Sequence, residues 1–330
     1  MSKWLKALRN IVEYAPLFCL YQFIRCLPLP VIVAFSRLCG WTVYIIPGFY
    51  KLTTANIRTA FPELPAREVG RIARHSMANI TRTILEFFWF ANAPERVEKH
   101  VVIHDEARRR IAEHVKRGER IIFVSPHLGN WEATGLKMSL SSGLDFAVVV
   151  RPQRNPFINR LIRRSRQSCG GEVIDAKGAV KKMLRAVRNG KSMATLIDQN
   201  TRVRDGGVFV DFFGLPVPSS RAPALFARLP GVQVYVGGGI HTPDGKITTF
   251  LNALPRPAAE YESETAMIQD LMRLTEAVIR RYPEQYLWLY KRFQYIPPDA
   301  RPEIRRRFPY YAATAPDKFF FKKRLPSDGN

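Results

Sequence analysis

Between residues 121 and 197 the chain alternates short apolar runs with longer stretches whose apolar residues recur every three or four positions. The runs 121–125, 146–150, 172–175 and 192–197 have the length of strands, and the first two are nearly continuously apolar, as strands buried on both faces are. The intervening stretches 131–141, 156–168 and 179–188 carry helical spacing. This repeated strand–helix order predicts an α/β fold with a mostly parallel central sheet flanked by helices on both faces. Further strands are predicted at 232–240 and 246–253, then a long helix at 262–281 and a last short strand at 287–290. Upstream, 52–118 reads as helical: Val69, Ile72, Ala73, Met77, Ile80, Ile84, Phe87 and Phe88 fall near one helical face.

The first 50 residues differ. Lys3, Lys6 and Arg9 precede an apolar stretch broken by Arg25, Arg37, Pro16, Pro28, Pro30 and Pro47. No uncharged run reaches the roughly 18 residues of a clean transmembrane helix, and no small-residue cleavage pattern marks a signal peptide. Aromatics from Trp4 to Tyr50 suit a membrane interface. The pattern predicts an N-terminal membrane-associated segment of one or two helices lying in or dipping into a bilayer surface. The competing arrangement is a helical hairpin packed on the protein's own sheet. The expected division is 1–50 for these helices, 51–300 for the α/β domain and 301–330 for a basic tail.

Charge narrows the partners. Lys and Arg number 51 against 28 Asp and Glu, a formal net charge of +23 over 330 residues. Anionic lipid, an acidic carrier protein and nucleic acid all match that excess. No zinc finger, RNP motif or basic zipper is present, so nucleic acid ranks last. Cys19, Cys26, Cys39 and Cys169 form no CxxC, which disfavours a disulfide framework and a zinc site; no metal is expected.

The chemistry centres on His127-Leu128-Gly129-Asn130-Trp131-Glu132, directly after the apolar run 121–124. A histidine at the carboxyl end of a strand sits where open α/β sheets gather their chemistry. A carboxylate after four intervening residues can orient the imidazole and stabilise its protonated form, so that it takes a proton from a hydroxyl. A structural histidine beside a helix-capping acid fits the same letters. Gly129 permits a tight turn and Asn130 suits a helix N-cap, whose amides can help bind a negative group. No GxSxG elbow exists, so the hydroxyl that His127 would activate belongs to a substrate. Arg151 ends the run 146–150, where its guanidinium could hold a phosphate or an oxyanion or cap the sheet edge in a salt bridge. Asp198 and Gln199 end the run 192–197, either as groups of the site or as turn formers. On 157–166, Arg160, Arg163, Arg164 and Arg166 face away from Phe157, Ile158, Leu161 and Ile162. That basic face, with Arg154 and Asn155 before it, suits an acidic carrier protein or phosphorylated head groups; a solvated surface explains it equally. Phe319-Phe320-Phe321-Lys322-Lys323-Arg324 could touch a bilayer.

Three matches fail. Gly190-Lys191-Ser192 follows a helix, and Arg185 stands where a phosphate-binding loop needs its first glycine. Gly237-Gly238-Gly239 lies late in an apolar run, away from any Rossmann turn. His100 and His104 have only solvent-type charges around them.

Taken in order, these segments resemble one family. Asn56 to Glu63, His127 to Glu132, Arg151-Pro152 with Asn155-Pro156, Asp198-Gln199, Phe209 to Gly214 and Pro283 to Phe293 are similar to the bacterial lipid A late acyltransferases, within the lysophospholipid-type acyltransferases. The likeness runs from about residue 5 to 295. It implies an enzyme on the cytoplasmic face of the inner membrane that moves an acyl chain from acyl carrier protein to a hydroxyl of a lipid A precursor, with no cofactor beyond the thioester donor. It implies that His127 is the general base, that Glu132 orients it and that Arg151 steadies the oxyanion. Asn130, Arg154, Asn155, Asp198, Gln199, Arg160, Arg163 and Arg164 are the expected substrate-binding positions. Pro126, and Tyr290-Lys291 in the closing segment, depart from the family pattern. The alternatives are an acyl-CoA-dependent relative acting on another glycolipid or lysophospholipid, and a non-catalytic membrane-binding protein on the same fold.

Overall fold

The computed structural model describes residues 3–150, 152–175 and 179–321. Helices come first: α1 (Lys3–Cys26), α2 (Leu29–Ile45), α3 (Pro47–Ala60), α4 (Ala66–Phe90) and α5 (Pro94–His100). Strand β1 (Val101–Val102) and helix α6 (Asp105–Lys116) lead into the alternating region: β2 (Arg120–Ser125), α7 (Trp131–Ser141), β3 (Phe146–Val150), α8 (Pro156–Gln167), β4 (Glu172–Asp175), α9 (Ala179–Arg188) and β5 (Ser192–Leu196). A hairpin of β6 (Gly207–Phe212) and β7 (Leu215–Ser220) follows, then α10 (Ala222–Ala227), β8 (Val232–His241), β9 (Ile247–Ala253) and α11 (Glu264–Arg281).

The main sheet has the order β1-β9-β8-β2-β5-β3-β4. Only the β8–β9 pair is antiparallel. Successive side chains of a strand point to opposite faces, and β2 shows the consequence. Ile122 and Val124 pack with Met183 and Val187 of α9, Phe226 of α10 and Leu271 of α11. Ile121 and Phe123 pack the other way, with Ala107 and Ile111 of α6 and Met138 of α7. Both faces are thus covered by helices, as the apolar runs of β2 and its neighbours require.

Prolines explain the breaks in the N-terminal stretch. Pro30 opens α2 and Pro47 opens α3, positions where the missing N–H costs nothing, and the two helices meet at a bend of 92°. α3 crosses residue 50 without interruption. α2 is pressed against α4: a Cβ at Gly40 would collide with the backbone of Ala78, so only glycine allows that approach. No single described helix is long and apolar enough to cross a membrane, although α2 and α3 together meet that length and composition. Among the described residues, sixteen of twenty-four exposed large apolar side chains lie between Trp4 and Tyr50.

Residues 287–290 are not a strand. Tyr286 makes a single antiparallel bridge to Leu128, and the chain then turns. Trp288 is buried in that turn, and Asn56 Nδ2 donates to the carbonyls of Trp288 (2.6 Å) and Tyr290 (2.9 Å). The side-chain amide does what a neighbouring strand would have done, which also ties Asn56 of α3 to the closing segment.

Candidate active site

Ser125 at the end of β2 pairs in register with Leu196 at the end of β5. Two residues further along each parallel strand stand His127 and Asp198. Equal offsets from a paired position place the two side chains beside each other, and they meet: His127 Nδ1 lies 2.7 Å from Asp198 Oδ1, and the His127 backbone N–H donates to Oδ2 over 2.8 Å. A carboxylate only accepts, so Nδ1 carries the hydrogen and Nε2 keeps a lone pair. Gln199 Nε2 donates to that Nε2 over 3.3 Å, a long contact that an incoming hydroxyl can displace.

His127 is 7% exposed and Asp198 2%. Burial by itself pushes the imidazole towards its neutral form. The charge and hydrogen bond of Asp198, with a further contribution from Glu132, outweigh it and hold the His127 pKa above its ordinary value. For Asp198 burial acts upward, and His127 with its three contributions brings the carboxyl below the usual range.

The loop bearing His127 is fixed from below by a buried polar network. Gly129 sits at φ +58°, and a Cβ there would land on the Gly239 carbonyl oxygen, so both backbone geometry and space demand glycine. Asn130 N–H donates to that same oxygen over 2.9 Å. Thr83 Oγ1 and Asn79 Nδ2, from α4, donate to the Gly129 carbonyl. Glu86 of α4 is fully buried and accepts from Asn130 Nδ2 (2.7 Å), His241 Nε2 (2.8 Å) and Arg82 Nε (2.6 Å). Burial would raise its pKa, but its interactions with His241 and Arg82 bring it down to about 2.

Beside His127 a cavity of about 350 Å³ opens between α7 and the ends of β3 and β5. Its walls include Trp131, Glu132, Leu136, Val148, Val150 and Leu196. A smaller space of about 40 Å³ lies deeper, between α6, α7 and the sheet, lined by Phe123, Met138, Phe146, Gly237, Gly238 and Phe250 among others. Ser125, Trp131, Gly135 and Ala194 line both. The glycine run of β8 thus has a steric purpose: a Cβ at Gly239 would strike Thr134 of α7, and one at Gly238 would come within 2.9 Å of the Phe250 ring.

The structure corrects several expected roles. The hydrogen-bond partner of His127 is Asp198, and Glu132 instead makes a two-pronged ion pair with Arg166 of α8 at 2.9 and 2.5 Å. Glu132 remains a wall of the cavity and acts on His127 through charge. Asn130 is no substrate ligand: it is fully buried, its Oδ1 accepts from Ala133 N–H as the cap of α7, and its Nδ2 is held by Glu86. Asn155 is likewise committed, capping α8 and donating to the Asn10 carbonyl and Glu13 of α1. Asp198 is buried behind His127 and does not line the cavity, whereas Gln199 stands at His127 Nε2. Arg163 pairs with Asp175 at 2.6 Å. Arg154, Arg160 and Arg164 are exposed, the last two lining a shallow groove on α8 with Asn159 and Gln167. Arg151 and the tail cluster Lys322-Lys323-Arg324 lie outside the described residues. Glu86 and His241 escaped sequence reasoning, as did the place of Trp131 and Arg166 on the cavity wall. The one visible signal was Glu86, a lone acid inside the apolar run 84–90.

The family model for bacterial lipid A biosynthesis acyltransferases matches residues 2–295. A lipid A biosynthesis acyltransferase of Haemophilus influenzae is 23% identical over 71% of this chain and 72% of its own length. The lipid A biosynthesis lauroyltransferase of Escherichia coli is 23% identical, covering 74% and 78%, and lipid A biosynthesis acyltransferase 2 of Shigella flexneri is 24% identical, covering 79% and 82%. Since the family match spans α1 to the turns behind the His127 loop, this chain is an acyltransferase and belongs to the bacterial lipid A biosynthesis acyltransferase family.

Proposed function

We propose that the protein works at the cytoplasmic face of the inner membrane and transfers a fatty acyl chain from acyl carrier protein to a hydroxyl of a lipid A precursor. One observation carries this reading. The His127–Asp198 pair leaves the Nε2 lone pair, met only by the long Gln199 contact, beside a cavity whose apolar walls lead deeper between sheet and helices. An oriented base beside hydrocarbon-lined space is what O-acylation with a long chain needs.

In the proposed step the acceptor hydroxyl displaces Gln199 from Nε2. Its oxygen attacks the thioester carbonyl while Nε2 takes the proton, and the imidazolium is stabilised by Asp198 and by the charge of Glu132. The tetrahedral intermediate collapses, the C–S bond breaks, and the imidazolium returns the proton to the leaving thiolate. The family resemblance assigns the oxyanion contact to Arg151. The acyl chain would lie past Trp131 with its methyl end among Met138, Gly238 and Phe250. Arg160 and Arg164 would meet the acidic carrier protein on α8, beside the cavity wall made by Arg166. The exposed apolar side chains of α1 to α3 would enter the bilayer interface.

The test is transfer by the purified protein, with a hydroxyl-bearing lipid A precursor and the same acyl chain offered on carrier protein or on CoA. Mass spectrometry should show one added acyl group, made faster from the carrier-protein donor. Equal or better use of CoA would refute the donor assignment, and no acylation of the precursor from either donor would refute the acceptor.

A further inference from the structure

A second cavity, away from His127, has no part in this chemistry. It measures about 690 Å³ and lies at the elbow of α2 and α3 against the first turns of α4. Tyr44 and Tyr50 form one wall, packed edge to face with ring centres 5.3 Å apart. Arg67, Arg71 and Arg74 form the other. Their spacing of four and three residues puts them on one stripe of α4, and all three are exposed. The opposite stripe, with Val69, Ile72 and Ala73, is buried in the core. Among the described residues one acid lines the cavity: Glu68, held by Arg71 through Nε at 3.0 Å and Nη2 at 2.6 Å. Arg67 and Arg74 have no carboxylate partner among the described residues, so the cavity keeps a charge of about +2. Gly70 stands on the same wall, and a Cβ there would come within 3.5 Å of the Tyr44 hydroxyl.

The elbow's outer surface has the opposite character. Leu38, Trp41, Ile45, Ile46 and Phe49 are each roughly half exposed. Apolar side chains at a tip, with tyrosines and arginines just behind it, reproduce the order of acyl region, interface and headgroup layer. We infer that this cavity binds the phosphate of an anionic glycerophospholipid headgroup while the elbow sits in the bilayer surface. Guanidinium groups suit phosphate oxygens through paired N–H donors, and the tyrosine hydroxyls lie at the same depth. The site presupposes the interfacial placement proposed above and gives it a specific lipid contact. It would also fix the height of α4, whose Asn79 and Thr83 hold the His127 loop.

The experiment uses the full-length protein and flotation with vesicles of phosphatidylcholine alone or mixed with phosphatidylglycerol. Two double variants are compared: Arg67→Gln/Arg74→Gln, and a control of equal charge loss, Arg108→Gln/Arg109→Gln on α6. Circular dichroism establishes that each is folded. Wild type should prefer the mixed vesicles, and the Arg67/Arg74 variant should lose about 30-fold in affinity for them, at roughly tenfold per 1.4 kcal/mol and about 1 kcal/mol per arginine. The control should lose less than threefold, and binding to phosphatidylcholine alone should be unchanged. Equal losses in the two variants would overturn the site in favour of diffuse surface charge. Unchanged vesicle binding with a raised KM for the phosphorylated acceptor would also overturn it, assigning the cavity to substrate. Failure of wild type to bind either vesicle would instead overturn the interfacial placement, and the site with it.

Discussion

Replacing Asp198 by Asn tests the centre of the mechanism. The carboxylate, itself buried, accepts two hydrogen bonds from His127, one from the backbone N–H and one from Nδ1–H. An asparagine side chain of the same shape has only one acceptor. If its oxygen faces Nδ1, its NH₂ is driven against the His127 N–H, leaving buried donors unpaired at a cost of about 1–3 kcal/mol. If it flips, the NH₂ donates to Nδ1, the imidazole proton moves to Nε2, and the nitrogen facing the cavity is no longer a base. Either state also loses the negative charge that stabilises the imidazolium. The expected fall in kcat is about 10²–10⁴-fold, the full range attributed to a general base. KM should change little, because Asp198 does not line the cavity. The pH profile adds a signed test. The base works when neutral, so the rate rises as pH passes through the imidazole pKa. Asp198 supplies the largest upward contribution to that pKa, so the acidic limb should move to lower pH in the variant. Steady-state kinetics across pH, with folding checked by circular dichroism, decide the matter. A kcat within about fivefold of wild type, or an acidic limb that does not move, would refute the role of Asp198.

Glu132→Gln removes the lesser of the two charges acting on His127 and breaks the Arg166 pair. We expect a fall in kcat of about 10–10²-fold with a smaller shift of the acidic limb than in Asp198→Asn, measured in the same assay. Gly129→Ala places a Cβ on the Gly239 carbonyl at a positive φ; thermal denaturation should show a loss of at least about 1–3 kcal/mol, together with inactivity. Met138→Ala deepens the inner cavity; competition between acyl donors should shift the preference toward longer chains, by about 10-fold or more per methylene accommodated. Glu86→Gln should cost about 3 kcal/mol in urea denaturation at pH 7, reflecting the carboxyl held at about 2 against an ordinary value near 4.5. Because that folded-state pKa is depressed, the stabilisation is complete above about pH 4.5 and disappears as pH falls toward 2. The gap between wild type and variant should therefore narrow on acidification.

The strands at 121–125, 146–150 and 172–175 and the helices between them were legible because each is specified within its own ten or so residues. Apolar runs, helical spacing and prolines at helix starts are local signals. The same holds for the cap Asn130, whose residue type announces a helix start. The turn at 287–290 was read wrongly for the same reason. Its apolar residues match a strand, but the groups that satisfy its carbonyls belong to Asn56, more than 200 residues away.

The sequence by itself determined the α/β class, the place of His127 just past a strand end and the apolar, basic character of the first helices. It did not determine which acid holds that histidine. Glu132 lies five positions away along the chain and Asp198 seventy-one, yet Asp198 makes the bond. Two crossover helices carry the chain out to β3 and β4 before α9 returns β5 to the side of β2, and only that long-range strand pairing sets Ser125 against Leu196. Glu132, in the first turn of α7, is drawn instead to Arg166 on the neighbouring helix α8. Sequence spacing fixes neighbours within an element, whereas the register of parallel strands fixes neighbours between elements, and the site is built at such a junction.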